Sequence, residues 1–217
     1  FGTGQGRFGQ GAGFVDNQTP RIRVGANAAF NSATYSIVGW LRSSANGVLI
    51  GNMLYGYPRG YGVDFDENLL YHRAGNASVW TVVSAPYPRG EWIHVAATND
   101  GTTLRLYIDG LEVGTPTASP SISWSGVGVS MGDYYDTYTP VNAYTGDMDD
   151  VAVFTRALTA TEVATLAGLD GGACEATDPC GAQGACVNSA GAYACSCNTG
   201  WTFAGGTCVD VDECAST

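Results

Sequence analysis

The chain reads as an all-β protein, two antiparallel sheets packed as a sandwich with a small disulfide-held module behind them, and three observations say so. Across residues 90–114, apolar and polar residues alternate over Trp92-Val95-Ala97 and Leu104-Leu106-Ile108 with Asn99-Asp100-Gly101 between the runs, and Asp109-Gly110 precedes Leu111-Glu112-Val113. Alternation broken by Asp-Gly turns spells three antiparallel strands joined by tight reversals. Short runs of this kind recur through the first part of the chain, parted by Gly, Asn, Ser and Pro clusters, which is the spacing of a sandwich or barrel. Lastly, all 7 cysteines stand at Cys174 or later, so the chain changes its means of stabilisation near residue 170.

Taken in order, residues 1–13 are rich in glycine, with a GxGxxG-like spacing. A phosphate loop needs a strand before it and a helix after it, and neither is present, so this stretch is structural. Residues 21–24, 34–41, 47–52 and 60–65 read as successive short strands, 68–72 and 78–83 continue the series, and 127–131 and 145–154 close it after the central meander. That makes roughly a dozen strands, enough for two packed sheets. The one helix signal is the capping box Thr159-Ala160-Thr161-Glu162, ahead of Val163, Leu166 and the terminating Gly168.

Three stretches carry a family resemblance. Trp92, His94, Val95 and Ala96, then Asp100-Gly101, then Leu106-Tyr107-Ile108-Asp109-Gly110 follow a "W-x-H-V-A … D-G … L-Y-I-D-G" wording. Gly6-Arg7-Phe8-Gly9-Gln10-Gly11 followed by Gly13-Phe14-Val15-Asp16 looks like an opening strand, and residues 146–166 look like a closing strand and helix. Together they resemble the laminin-G-like (concanavalin A-like lectin/glucanase) family over residues 1–168. The resemblance implies a jelly-roll sandwich, and a structural Ca²⁺ in the region of the closing strand.

In the last part, Cys174, Cys180, Cys186, Cys195, Cys197 and Cys208 leave many pairings open on spacing alone. The pattern is similar to an EGF-like module, with Gly200-Trp201 at the family's glycine-aromatic turn. That resemblance implies the bridges Cys174–Cys186, Cys180–Cys195 and Cys197–Cys208. Asp210-Val211-Asp212-Glu213-Cys214 looks like the opening of a second, calcium-binding module of the same kind, in which Asp210 and Glu213 supply part of an incomplete site and Cys214 lacks a partner. The expected domains are therefore 1–168, 169–209 and 210–217, in a piece of a longer secreted or surface chain. Cys186-Val187-Asn188 with Tyr193 resembles the module's hydroxylation and calcium consensus, but only Asp170 precedes Cys174 where acidic residues are needed.

A net charge of −11, from 20 acidic and 9 basic residues, excludes nucleic acid held by phosphate contacts and disfavours anionic membranes. No apolar run approaches the roughly 20 residues that a membrane helix needs, so direct insertion is not expected. Cysteine-dense small modules belong to oxidising, extracellular compartments.

Chemistry-bearing residues are few. On the closing strand, alternation puts Asp147 and Asp149 on one face and Asp150 on the other. Two carboxylates can begin a Ca²⁺ site that takes further oxygens from Asp16-Asn17, since the ion wants six to eight. A retaining glycosidase needs two carboxylates roughly 5 Å apart. None of the 6 glutamates falls in an E-x-D-x-E pattern, and the nearest approach is Asp64-Phe65-Asp66-Glu67, so no enzyme is expected. His72 and His94 lack metal-ligand spacing and read as packed histidines. Asn17 and Asn76 open N-glycosylation sequons.

Two aromatic loops stand out: Tyr55, Tyr57, Arg59 and Tyr61 in one, Tyr134, Tyr135 and Tyr138 in the other. Such rings cap sheet ends, stack on sugar faces, or anchor protein interfaces, where Tyr and Arg are enriched. The expectation is a non-catalytic extracellular module that binds a glycan or a protein, with a structural repeat of a filament made of its own copies as the other class.

Overall fold

In the computed structural model, residues 2–14, 21–43, 45–135, 143–168, 180–189, 192–204 and 207–211 are described. The chain divides into two compact units, Phe1–Thr159 and Ala160–Thr217.

The first unit is a sandwich of antiparallel sheets. The larger has seven strands in the order β1 (Gly2–Gln5), β2 (Gln10–Phe14), β13 (Gly146–Phe154), β4 (Thr34–Ser43), β9 (Ile93–Asp100), β10 (Thr103–Ile108) and β11 (Leu111–Ala118). The smaller has six, in the order β3 (Ile22–Val24), β12 (Val129–Met131), β5 (Gly47–Gly51), β6 (Arg59–Asp66), β7 (Leu69–Asn76) and β8 (Trp80–Pro86). The central meander is β9, β10 and β11, paired in sequence as the alternation requires. Where one opening strand was expected, β1 and β2 form a hairpin.

Turn chemistry fixes the registers. Glu67-Asn68, with φ of 48° and 86°, and Asp109-Gly110, with φ of 48° and 77°, are two-residue hairpin loops. Positive φ at both positions matches the right-handed twist of the flanking strands. At the far border, β11 is bulged: Val113 and Thr117 pair with Leu106 and Leu104, so residues 114–116 stand opposite Arg105 alone. Pro116 lies within this stretch and offers no N–H.

Period-two alternation sends Tyr35, Ile37 and Leu41 of β4, Tyr61, Val63 and Phe65 of β6, and Leu104 and Leu106 of β10 into one core. Tyr35 stacks on Tyr61 across the sheets with ring centroids 3.7 Å apart. His72 completes the join. Its Nδ1 is 2.9 Å from the Arg105 carbonyl, which can only accept, so Nδ1 carries the proton and Nε2 accepts the Tyr35 hydroxyl at 2.8 Å. Burial lowers the pKa of His72 to about 4, which keeps the ring neutral.

Alternation also fails on the closing strand. The pairing of β13 with β4 slips between Asp149 and Ala152, and Asp150 takes φ 48° in the bulge. On the outer face of β4, Ser36 is wholly buried; its hydroxyl donates to the Arg156 carbonyl and accepts the Leu158 N–H at 2.8 Å, clasping the chain that follows β13.

The second unit holds helix α1 (Ala160–Leu166), with Glu162 in its first turn, and two hairpins: β14 (Gly184–Ser189) with β15 (Ala192–Cys197), and β16 (Trp201–Ala204) with β17 (Thr207–Asp210). Disulfides join Cys180 to Cys195 and Cys197 to Cys208. The Cys174–Cys186 pairing lies outside the described residues, as do Asp16, Asn17, Tyr138, Glu213 and Cys214. Gly200 takes φ 89° at the turn before Trp201.

Because residues 1–168 contain no cysteine, dithiothreitol is expected to unfold the small module and leave the sandwich's calorimetric transition unmoved. A sandwich transition that shifted on reduction would overturn this division of stability.

Candidate functional site

The outer face of the smaller sheet gathers charged and aromatic side chains. On β6 the core takes Tyr61, Val63 and Phe65, which leaves Gly62, Asp64 and Asp66 to the outside; on β7, His72 and Ala74 face in and Tyr71 and Arg73 face out. The register pairs Asp64 with Tyr71 and Gly62 with Arg73. Arg73 Nε donates to Asp64 Oδ1 at 2.6 Å, and the guanidinium lies 4.2 Å from the centroid of the Tyr71 ring. Asp64 is only 3 % exposed. Burial raises its carboxyl pKa while Arg73 opposes that rise.

Loops on either side add rings. Tyr55 and Tyr134 meet edge to face at 5.5 Å, and Tyr134 is near enough to Arg73 to act on its charge. Tyr55 and Tyr57 stand 49 % and 62 % exposed, with Gly56 between them at φ 75°. Their loop is anchored by the buried Asn52, whose carboxamide oxygen accepts the Tyr61 N–H at 2.9 Å and whose amide donates to the Phe30 carbonyl. Gly60 sits beside this anchor at φ 81°, where a Cβ would collide with Asn52. Met53 covers Gly62, its Cε 2.6 Å from where a Cβ would stand.

The second loop is anchored through Asp133, 2 % exposed, which accepts the Tyr134 N–H at 2.7 Å and lies 3.7 Å from Arg21. Ser130 Oγ donates to the Asp133 carbonyl at 2.6 Å. Arg23 stacks over Tyr135 at 5.2 Å. Both loops are thus held by buried polar groups whose hydrogen bonds are satisfied, which aims their rings without tying them down.

Of the aromatic residues expected in a contact surface, Tyr55, Tyr57, Tyr134 and Tyr135 stand at loops, and Arg59 is exposed at the start of β6. Tyr61 does not belong with them: it is 1 % exposed in the core, because β6 alternation turns it toward Tyr35. Asp64, Tyr71 and Arg73 were missed, since their meeting depends on a strand register.

Asp147 and Asp149 have protein partners. Arg42 Nε and Nη2 both donate to Asp147 Oδ2, at 3.1 and 2.8 Å. Asp149 Oδ2 accepts the Phe8 N–H at 3.0 Å and its Oδ1 the Asp150 N–H at 3.1 Å. That holds the tip of the β1–β2 hairpin, where Arg7 and Phe8 pack on Trp40. Among the described residues no three His, Cys, Asp or Glu side chains stand together to hold a metal. An Arg engages one carboxylate and backbone N–H groups the other, while Asp16 and Asn17, the further oxygens expected of a Ca²⁺ site here, lie outside the described residues. Asp210 is exposed on β17, and Asn76 is exposed at the β7–β8 turn, its side-chain oxygen accepting the N–H of Ser78 and Val79.

The profile of the concanavalin A-like lectin/glucanases superfamily matches residues 16–164, and that of the EGF-like domain matches 174–205. No curated protein matches. Among solved structures, the chain is similar to domain 4 of AbnA, a GH43 extracellular arabinanase from Geobacillus stearothermophilus, in complex with arabinotriose, at 20 % identity over 76 % of this chain and 80 % of that one (TM-score 0.60). It is also similar to a heptameric SAP-like pentraxin from Limulus polyphemus, at 16 % identity over 86 % and 91 % of the two chains (TM-score 0.55). A third is the Ruminococcus gnavus IT-sialidase CBM40 bound to α2,3-sialyllactose, at 14 % identity over 70 % and 100 % (TM-score 0.54). At these identities the likeness is one of fold. With the profile matched across both sheets of the sandwich, the chain belongs to the concanavalin A-like lectin/glucanase superfamily, and an EGF-like domain follows it.

Proposed function

We propose that the sandwich is a non-catalytic glycan-binding module of an extracellular protein, and that it holds its ligand on the outer face of the smaller sheet. The observation that carries this is the meeting of Tyr55 and Tyr134 at 5.5 Å beside the half-buried Arg73. Aromatic walls with a few placed polar groups are how small-ligand sites combine affinity with orientation. Anchored loops on a rigid sheet present those rings at little ordering cost. Solved relatives of the fold in complex with arabinotriose and sialyllactose support the reading. The disulfides of the small module support an extracellular setting. Asp64 and Asp66 share one face of β6, but Arg73 holds the first and Asn46 donates to the second at 3.2 Å, an arrangement suited to holding rather than to proton transfer.

A glycan array probed with the full chain, followed by titration calorimetry, tests the reading. Tyr55→Ala and Tyr134→Ala are each expected to weaken binding about tenfold or more. The combined Tyr57, Arg59, Tyr134 and Tyr135 alanine variant should abolish capture with the melting temperature nearly unaltered. Intact binding in that variant would move the contact surface elsewhere.

A further inference from the structure

We propose that the ligand taken on this face is a neutral saccharide with two adjacent hydroxyls, read by Asp64 and Arg73 as an acceptor and donor pair. The inference rests on the glycan-binding reading and goes further by assigning the ligand's charge class and the residues that select it.

Arginine and carboxylate ordinarily meet as two parallel forks. Here a single contact joins them, Nε to Oδ1 at 2.6 Å. Asp64 Oδ2 and both Nη nitrogens of Arg73 take no hydrogen bond among the described residues. The pair is largely covered, with side-chain exposures of 20 % for Arg73 and 4 % for Asp64, yet these atoms are not fully enclosed and water reaches them. Water that fills such open valences beside a largely covered ion pair can be replaced by the oxygens of a ligand that reproduces its hydrogen bonds.

The remaining valences have a definite chemical complement. Oδ2 can only accept, and the Nη groups can only donate. One hydroxyl giving its proton to Oδ2 and a neighbouring oxygen accepting from an Nη satisfies both at once. Tyr71 holds the guanidinium flat from one side, and Tyr134 with Tyr55 stands beside it for the apolar face of the same sugar ring.

Charge narrows the class. Asp64 and Arg73 sum to zero, and Asp66 adds a further negative charge near Asp64. A sialylated or sulfated ligand would meet Arg73 already neutralised, with two carboxylates alongside and a chain of net charge −11. A cationic ligand would meet the guanidinium. An uncharged polyol meets neither penalty.

The experiment uses the intact chain on an array carrying neutral arabino-, xylo-, galacto- and manno-oligosaccharides beside sialylated and sulfated ones, at low and moderate salt. The expected result is binding to a neutral class, with little dependence on salt. Calorimetry with the best neutral oligosaccharide should show a loss of about tenfold to a hundredfold for Asp64→Asn and for Arg73→Gln. Asp64→Asn should also gain binding to sialylated ligands, because it frees the charge of Arg73. If a single variant fails to fold, the Asp64→Asn/Arg73→Gln double variant and the wild-type charge preference decide instead. Binding confined to acidic glycans overturns the inference. So does neutral binding that survives the pair substitutions within twofold yet falls with Tyr55→Ala, an outcome that leaves the glycan-binding reading standing. Capture of no glycan, or of a protein alone, overturns both.

Discussion

Between pH 7 and pH 4.5 the sandwich is expected to lose several kcal/mol of stability, and that loss should trace to the two buried histidines, His72 and His94. The ring is wholly buried between Tyr35 and the Arg105 carbonyl, and burial lowers its pKa from 6.5 to about 4. As pH falls below 6.5, the unfolded chain takes up a proton that the folded chain refuses until about pH 4. Stability is therefore complete above 6.5 and drains away across that window, by about 3 kcal/mol for a shift of this size. His94 adds to the effect with the same sign. It is 2 % exposed against the edge of Trp40, its Nδ1 has no partner among the described residues, and burial lowers its pKa to about 4 as well. Asp64, whose pKa is raised by burial, works weakly in the other direction. Urea midpoints measured from pH 7 to 4.5 should fall steeply for the wild type and about half as steeply for His72→Gln, which keeps a donor but does not titrate, the remainder being due to His94. A wild-type midpoint flat across that range would refute the neutral His72 bridge.

Replacing Tyr61 by Ala should cost about 3–5 kcal/mol, the scale of emptying a large core aromatic. The ring is 1 % exposed, stacks on Tyr35 at 3.7 Å and meets Trp124 edge-on at 6.4 Å. Burial accordingly pushes its hydroxyl pKa up to about 12. Tyr57→Ala, four residues away and 62 % exposed, should stay within about 0.5 kcal/mol of wild type. Chemical denaturation of both variants separates the two tyrosines of one loop by role. A small loss at Tyr61 would return it to the contact surface.

That pair shows where sequence reading succeeded and where it stopped. The meander from β9 to β11 was legible because Leu104, Leu106 and Ile108 alternate without interruption and Asp109-Gly110 leaves a single way to turn. The loops of Tyr55 and Tyr134 were legible as aromatic clusters, but composition gives no direction, and only the phase of β6 distinguishes Tyr61 from Tyr57. Asp64 and Arg73 were invisible because nine residues separate them and their contact depends on Glu67-Asn68 being the entire turn. Had that two-residue hairpin been placed, counting back from Asp66 opposite Leu69 would have set Asp64 against Tyr71 and beside Arg73. The partners of the β13 carboxylates were hidden for a related reason: a list of acidic residues does not show that Arg42 on the neighbouring strand and the Phe8 N–H at a hairpin tip engage them.

The bulge in β11 bears on how copies of this molecule meet. A sheet grows into a fibre only if each member offers two unpaired borders, one to receive and one to extend. On the larger sheet, β11 is one border, and Pro116 removes a donor from its row; a Cβ at Gly114 would stand 2.6 Å from the Ser84 carbonyl, so the backbone there lies close against the other sheet. Only β1 is left at the opposite border. Two copies joined through β1 would use up both of those borders and close a twofold pair, which gives backbone pairing along this sheet no border from which to continue.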